Sequence, residues 1–200
     1  FWLPSIIKNM GFDNPLLIGW LSAIPYLLAG VFMILCGRSA DLRNERRWHL
    51  VVPMLMGAVG LLIAVNFAAP ILLAYAFLPV LRQHNEAAIV NVTSGLALVP
   101  KQATAVYCAT KAGLHSATQS LRWQLEGSPV SVFEVLPPFV ATAMTTHRGL
   151  GGMTPEQLAQ AVWSGFIRNR HEMLIGATRW LKLLHRIAPG MAMAKVRHRI

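Results

Sequence analysis

The stretch 87–111, AAIVNVTSGLALVPKQATAVYCATK, decides the fold. Its first six residues, Ala87 to Val92, form a short apolar run that ends in the small polar residues Thr93, Ser94 and Gly95. Such a run reads as a strand of a parallel sheet covered on both faces. The segment Thr104 to Leu125 then reads as a helix, and Val130 to Leu136 as a second strand. A helix over Asn66 to Arg82 comes before the first strand, so the order is α-β-α-β. That order predicts an α/β class, a partial Rossmann-like parallel sheet with flanking helices.

Within the quoted stretch, Tyr107-Cys108-Ala109-Thr110-Lys111 places a phenol and an ammonium four positions apart. On a helix such positions share one face. A cation beside a phenol favours the phenolate, so the pairing is expected to lower the Tyr107 pKa toward neutrality and suit it to proton transfer. The spacing alone fits an ordinary surface pair equally well. Ser94 adds context: it lies thirteen positions earlier, just past the C-terminal end of the first strand. Open α/β sheets place their ligands at that end. Asn66 opens the preceding helix, and Leu136-Pro137-Pro138-Phe139-Val140-Ala141-Thr142 follows the second strand.

These elements, in this order, resemble the short-chain dehydrogenase/reductase family. The resemblance implies Asn66, Ser94, Tyr107 and Lys111 as catalytic residues, and Tyr107, Lys111, Pro137 and Thr142 as residues that bind NAD or NADP. Tyr107 would exchange a proton with a carbonyl or alcohol substrate, and Ser94 would hydrogen-bond the carbonyl oxygen. Lys111 would hold the nicotinamide ribose, Asn66 would anchor a relay water, and Thr142 would contact the nicotinamide amide. The family usually reads Pro-Gly where this chain has Pro137-Pro138, which removes backbone freedom beside the substrate. The run from Ala87 through Thr142, the helix start at Pro155 and the late Ile187-Ala188-Pro189-Gly190 resemble a bacterial subgroup labelled as oxidoreductases of teichoic acid D-alanylation. The family also implies a homodimer through the apolar face of 66–81.

A dinucleotide site needs a glycine-rich turn after its first strand, where the pyrophosphate meets a helix N-terminus. The fifteen glycines form no such motif, and Gly57-Ala58-Val59-Gly60 lies in an apolar run with no strand before it. What stands in that place is a different physical regime. Asn14 to Gly37 holds no charge, and Pro15 to Cys36 matches the roughly 20 apolar residues that span a bilayer as a helix. Gly37 to His49 carries four arginines in a short connection, expected to face the cytoplasm. Leu50 to Leu81 is again uncharged but is interrupted by Pro53, Pro70 and Pro79, so a single helix is not expected there.

The opening Phe1-Trp2-Leu3-Pro4-Ser5-Ile6-Ile7-Lys8, the span Ile18 to Cys36 and the Glu45-Arg46-Arg47-Trp48-His49 loop resemble the anion:cation symporter branch of the major facilitator superfamily. The loop keeps Gly37 and Asp41, with Leu42 where an arginine is usual and Asn44 where a glycine is usual. With one or two spans there is no second bundle to rock against, so transport by this segment alone is not expected. The chain thus divides into a transporter-like fragment, 1–62, and a dehydrogenase domain lacking its N-terminal cofactor half, 63–200, with a join near Leu61 to Val65. The function expected is an NAD(P)-dependent oxidoreductase by ancestry, impaired by truncation. The alternatives are a transporter fragment or a non-functional chimera. The N-terminal part is expected in a membrane and the dehydrogenase part in the cytoplasm, although a second span after a cytoplasmic loop would put the latter outside.

The formal charge of +10 does not point to nucleic acid, because its basic residues do not alternate with aromatics along one element. They gather late, where Thr178 to Ile187 reads as a basic amphipathic helix packed on its own domain. Cys36 and Cys108 imply no disulfide, and Cys108 reads as a packing residue. His115 and His147 read as surface or loop histidines, with no partner at metal-ligand spacing. The start at Phe1, with neither an initiator methionine nor a signal pattern, reads as a fragment of a longer frame.

Overall fold

The computed structural model describes residues 4, 7–8, 11–142 and 152–197. His147 and most of the transporter-like opening lie outside the described residues. The chain divides into two compact units, Phe1–Ala58 and Val59–Ile200.

The first unit is helical. α1 spans Pro15–Arg43; Asn14 caps it by accepting from the N–H groups of Leu16 at 3.0 Å and Leu17 at 3.5 Å, and Pro15 occupies the first turn. The helix does not stop at Cys36 as expected. It continues through Gly37 to Arg43, and the connection shrinks to 44–46 before α2 begins at Arg47. Asn44 ends α1 in the left-handed region (φ 48°, ψ 33°), the conformation for which glycine is preferred. That explains why a glycine serves in the similar transporter loops, and why asparagine, which tolerates this region, can replace it. Asp41 and Arg46 pair at 3.3 Å, and His49 Nε2 bonds Ser39 Oγ at 3.0 Å across the turn.

The long apolar run that follows is helical nearly throughout: α2 (Arg47–Ile63), a π-helical turn (Ala64–Ala68) and α3 (Ala69–Leu81). The prolines do not break it. Pro70 sits in the first turn of α3, where its missing N–H costs nothing, just after the π turn in which Ala69 N–H bonds Ala64 C=O. The run has two different surroundings. No residue of α2 is buried, and along α1 Trp20, Leu28 and Met33 are mostly exposed. α1 and the 47–81 run are both long and apolar enough to cross a membrane. By contrast, α3 turns Ala74, Leu78 and Leu81 into a protein core.

The second unit is an α/β layer structure. Its strands are β1 (Ala87–Val92), β2 (Val130–Leu136) and β3 (Glu172–Leu174), all parallel, in the order β1-β2-β3. The first two match the sequence reading at both ends. Alternation along β2 sorts its side chains onto two faces. Val130 and Val132 pack with Ala74, Leu121 and Leu125 beneath α3 and α4 (Ala105–Gln124). Phe133 and Val135 pack with Met173 and Ile175 beneath Leu158, Ala161 and Val162 of α5 (Pro155–Ile167). α5 starts at Pro155 as the sequence suggested, and a full capping box, Thr154 with Gln157, opens it. β1 is an edge strand of this sheet, and Val90 and Val92 remain about half exposed. α6 (Ala177–Ile187) and α7 (Pro189–Arg197) close the chain, with Ala192 and Val196 buried against Val99.

Candidate active site

The site forms where β1 ends. Ser94 is extended and caps the short 3₁₀ turn Gly95–Ala97, its Oγ accepting from Leu96 N–H at 3.1 Å. Gly95 lets the turn approach α6 closely: a Cβ here would stand 2.9 Å from Thr178 Oγ1 and would have to displace that side chain. α4 then carries Tyr107 and Lys111 on one face, as their spacing predicted, with Lys111 Nζ 5.9 Å from the centre of the phenol ring. Lys111 Nζ also donates to the C=O of Val92, the last residue of β1, at 2.9 Å. The helix is therefore tied to the strand end beside Ser94.

Ser94, Tyr107, Lys111, Pro137 and Thr142 all line one open cavity of about 1960 Å³. Asn66 does not line it. It sits in the π turn, half-buried, while Leu62 one turn earlier reaches the cavity wall. The π turn packs against α4, where Gly113 makes room: a Cβ on it would lie 2.9 Å from the Phe67 ring. Asn66 is thus held on the element next to the Tyr107 helix but at the margin of the site.

One electrostatic expectation fails. The Tyr107 pKa is raised, not lowered: burial of the phenol is the largest cause, Ser94 pulls it back down, and Cys108 adds a small rise. The Lys111 ammonium, 5.9 Å from the ring centre, makes its hydrogen bond to the Val92 carbonyl and not to the phenol. Its own pKa is lowered by burial. A phenol held protonated is a proton donor, which suits the transfer of a proton to a carbonyl oxygen.

The other correction concerns His115. It is neither a surface nor a loop residue: it lies inside α4, one turn beyond Lys111, and its Nδ1–H donates to both oxygens of Glu134 at 2.8 and 2.9 Å. Glu134 is fully buried in β2 and also accepts from Thr93 Oγ1 at 2.6 Å. Its register partner on β3 is Glu172, which Lys182 of α6 neutralises at 2.7 Å. Glu134 was missed because VSVFEVL reads as apolar; its one signal was a carboxylate interrupting a buried strand. Cys108 is buried and packs as expected. Among the described residues no group of His, Cys, Asp and Glu is arranged for a metal.

The far wall of the cavity was also missed as a functional surface. Trp180, Leu183 and Ile187 of α6 and Met191 of α7 line it, so the apolar face expected merely to pack borders the site instead. The residues present suit the nicotinamide-ribose end of a dinucleotide, with two polar groups and an ammonium at one strand end. For the pyrophosphate end the chain provides no glycine-rich turn.

Residues 54–151 match the short chain dehydrogenase family model. The "Uncharacterized oxidoreductase DltE" of Bacillus subtilis is 41% identical over 120 residues, which is 56% of this chain and 46% of that protein. A short chain dehydrogenase from Burkholderia cenocepacia, crystallised in complex with NADP, superposes with a TM-score of 0.63 at 26% identity, over 67% of this chain and 56% of that one. The "Putative metabolite transport protein NicT" of Pseudomonas putida is 40% identical over 68 residues, 34% of this chain and 16% of that protein. The chain therefore spans about half the length of the oxidoreductase relative and about a sixth of the transporter relative.

Proposed function

We propose, since residues 54–151 match the short chain dehydrogenase family model, that the second unit carries the proton-transfer half of an NAD(P)-dependent oxidoreductase acting on a small-molecule carbonyl or alcohol. The observation that supports this best is the convergence of Ser94, Tyr107 and Lys111 on one cavity at the C-terminal end of β1. In this reading Tyr107 holds the proton at its phenol oxygen and delivers it to the substrate oxygen, while Ser94 orients that oxygen. Lys111 holds the nicotinamide ribose, Pro137 and Thr142 border the nicotinamide, and Asn66 anchors a relay water beside α4. A bound nicotinamide would supply or accept the hydride. The raised Tyr107 pKa keeps the phenol protonated, the form that donates to a carbonyl oxygen. The apolar wall of Trp180, Leu183 and Ile187 favours a hydrophobic substrate over a charged one.

The test is NADPH binding to the full chain in detergent, followed by fluorescence. Binding is expected, with Tyr107→Phe retaining it and losing about 10²–10⁴-fold in turnover of a carbonyl substrate. A chain that binds neither NADPH nor NADH retains only the ancestry of the activity.

The two apolar helices and the transporter similarity support a second role for the same chain, a membrane-held enzyme. In this reading the join lies near Leu61 to Val65, with the transporter-like segment 1–62 acting as an anchor rather than a carrier. The outer face of α3, where Leu72, Leu73 and Phe77 are exposed, is the surface proposed for a homodimer. Full chain recovered in the soluble fraction after carbonate extraction would sink the anchor.

A further inference from the structure

VSVFEVL puts a glutamate in the middle of a buried strand, where a leucine would be far cheaper. A carboxylate taken fully out of water is tolerated only when it is paired and hydrogen-bonded. Glu134 meets both conditions, and its two partners stand on the two elements that carry the candidate site, the end of β1 and α4. Thr93, the residue immediately before Ser94, donates to it from the end of β1, while Thr93 N–H bonds Val135 C=O at 2.9 Å. His115 donates to it from α4, four residues after Lys111 and eight after Tyr107, on the same face of the helix. A second bridge one turn further on, Asn91 Nδ2 to Thr118 Oγ1 at 3.0 Å, joins the same two elements.

We propose that Glu134 is a positioning residue: by gripping Thr93 and His115 together it fixes the Ser94 end of β1 against the Tyr107–Lys111 face of α4. The proposal rests on Ser94 and Tyr107 acting as a pair. It goes further in assigning their alignment to a buried side chain that touches neither substrate nor cofactor. The charged groups around His115 are Glu134 on β2, Glu172 on β3 and Lys182 on α6. Glu172 and Lys182 compensate each other, which leaves Glu134 as the carboxylate that His115 must answer. Loss of the grip lets Ser94 turn from the phenol, and because Ser94 holds the Tyr107 pKa down, that pKa then rises.

Tyrosinate absorbance of the full chain in detergent, titrated with base, reads this directly. The chain has three tyrosines, and subtraction of the Tyr107→Phe trace isolates the one of interest. Glu134→Gln and Thr93→Val are each expected to raise the Tyr107 midpoint by about half a pH unit or more, as is Ser94→Ala. Combining Thr93→Val with Ser94→Ala should add nothing, because both act through the same hydroxyl. Thr93→Val keeps the Glu134–His115 pair and so remains informative if Glu134→Gln does not fold. Unmoved midpoints in folded variants, or an additive double variant, would overturn the proposal. NADPH fluorescence on the same samples separates it from the activity. Shifted midpoints without NADPH binding uphold the positioning role and end the cofactor reading, and unmoved midpoints with binding do the reverse.

Discussion

Leu28 in α1 and Leu114 in α4 sit in helices of similar regularity, yet the first is 64% exposed and the second 1%. The difference is one of packing partners. In the second unit apolar side chains interlock between helices and sheet, whereas those of α1 and α2 stay exposed on helices long and apolar enough to cross a membrane. An apolar count therefore says little about where a core lies; the packing partners decide it. The 47–81 run makes the point within one helical stretch, since α2 buries nothing and α3 contributes to the core under the sheet.

The contrast breaks or holds on a matched pair of substitutions. Leu114→Ala should destabilise the second unit by about 2–5 kcal/mol, through lost transfer energy and the cavity left in a packed site. Leu28→Ala should leave that unit's unfolding midpoint unchanged. Chemical denaturation of the full chain in detergent, followed by circular dichroism, distinguishes them. Equal losses from both would mean that α1 is part of a shared protein core.

A smaller effect sharpens the comparison through charge. The His115 pKa is raised above its ordinary 6.5, chiefly by its hydrogen bond to Glu134, against the cost of burial. The folded state therefore favours the imidazolium. Its contribution to stability is complete below about pH 6.5 and is lost as the pH rises through the raised folded value. Above that point the neutral ring still donates from Nδ1, so the hydrogen bond persists while the ion pair is lost. The melting temperature of the second unit should fall across this window, and His115→Gln should flatten the decline. Detergent extraction of the helices of the first unit should show no matching step. A decline that survives His115→Gln would place the titrating group elsewhere.

Much of this was legible in the sequence, for reasons that also explain the gaps. β1 and β2 were readable to the residue because short Val-rich runs bounded by polar residues leave little choice of register. The Tyr107–Lys111 face followed from helical geometry alone. β3 was missed because Glu-Met-Leu is too short to show a period, and it exists only because β2 offers a partner. The end of α1 was misread since Gly37 and Asp41 look like loop residues, although they extend a helix that already has enough turns to carry them. The direction of the Tyr107 shift could not be read, because spacing places Lys111 on the right face but does not reveal that its ammonium turns to Val92. Glu134, His115 and Thr93 lie on three separate segments, and only the folded sheet brings them together.

The smallest predicted effect uses a device that both units share. Asn44 ends α1 and Asn169 ends α5, each in the left-handed region, at φ 48° and 52°. In each, the next N–H reaches back to close the last turn, Glu45 to Ala40 C=O at 3.1 Å and Arg170 to Gly165 C=O at 2.9 Å. A side chain with a Cβ carries a steric cost in this region, which asparagine bears better than most and glycine avoids. Asn169→Ala should therefore lower the stability of the second unit by about 1 kcal/mol, and Asn169→Gly should change it by a few tenths at most. The same two substitutions at Asn44 should leave that unfolding transition where it was, because the turn they strain belongs to the first unit. If Asn44→Ala moved the transition as far as Asn169→Ala does, the two units would be folding as one, and the contrast between a packed core and exposed apolar helices would have to be withdrawn.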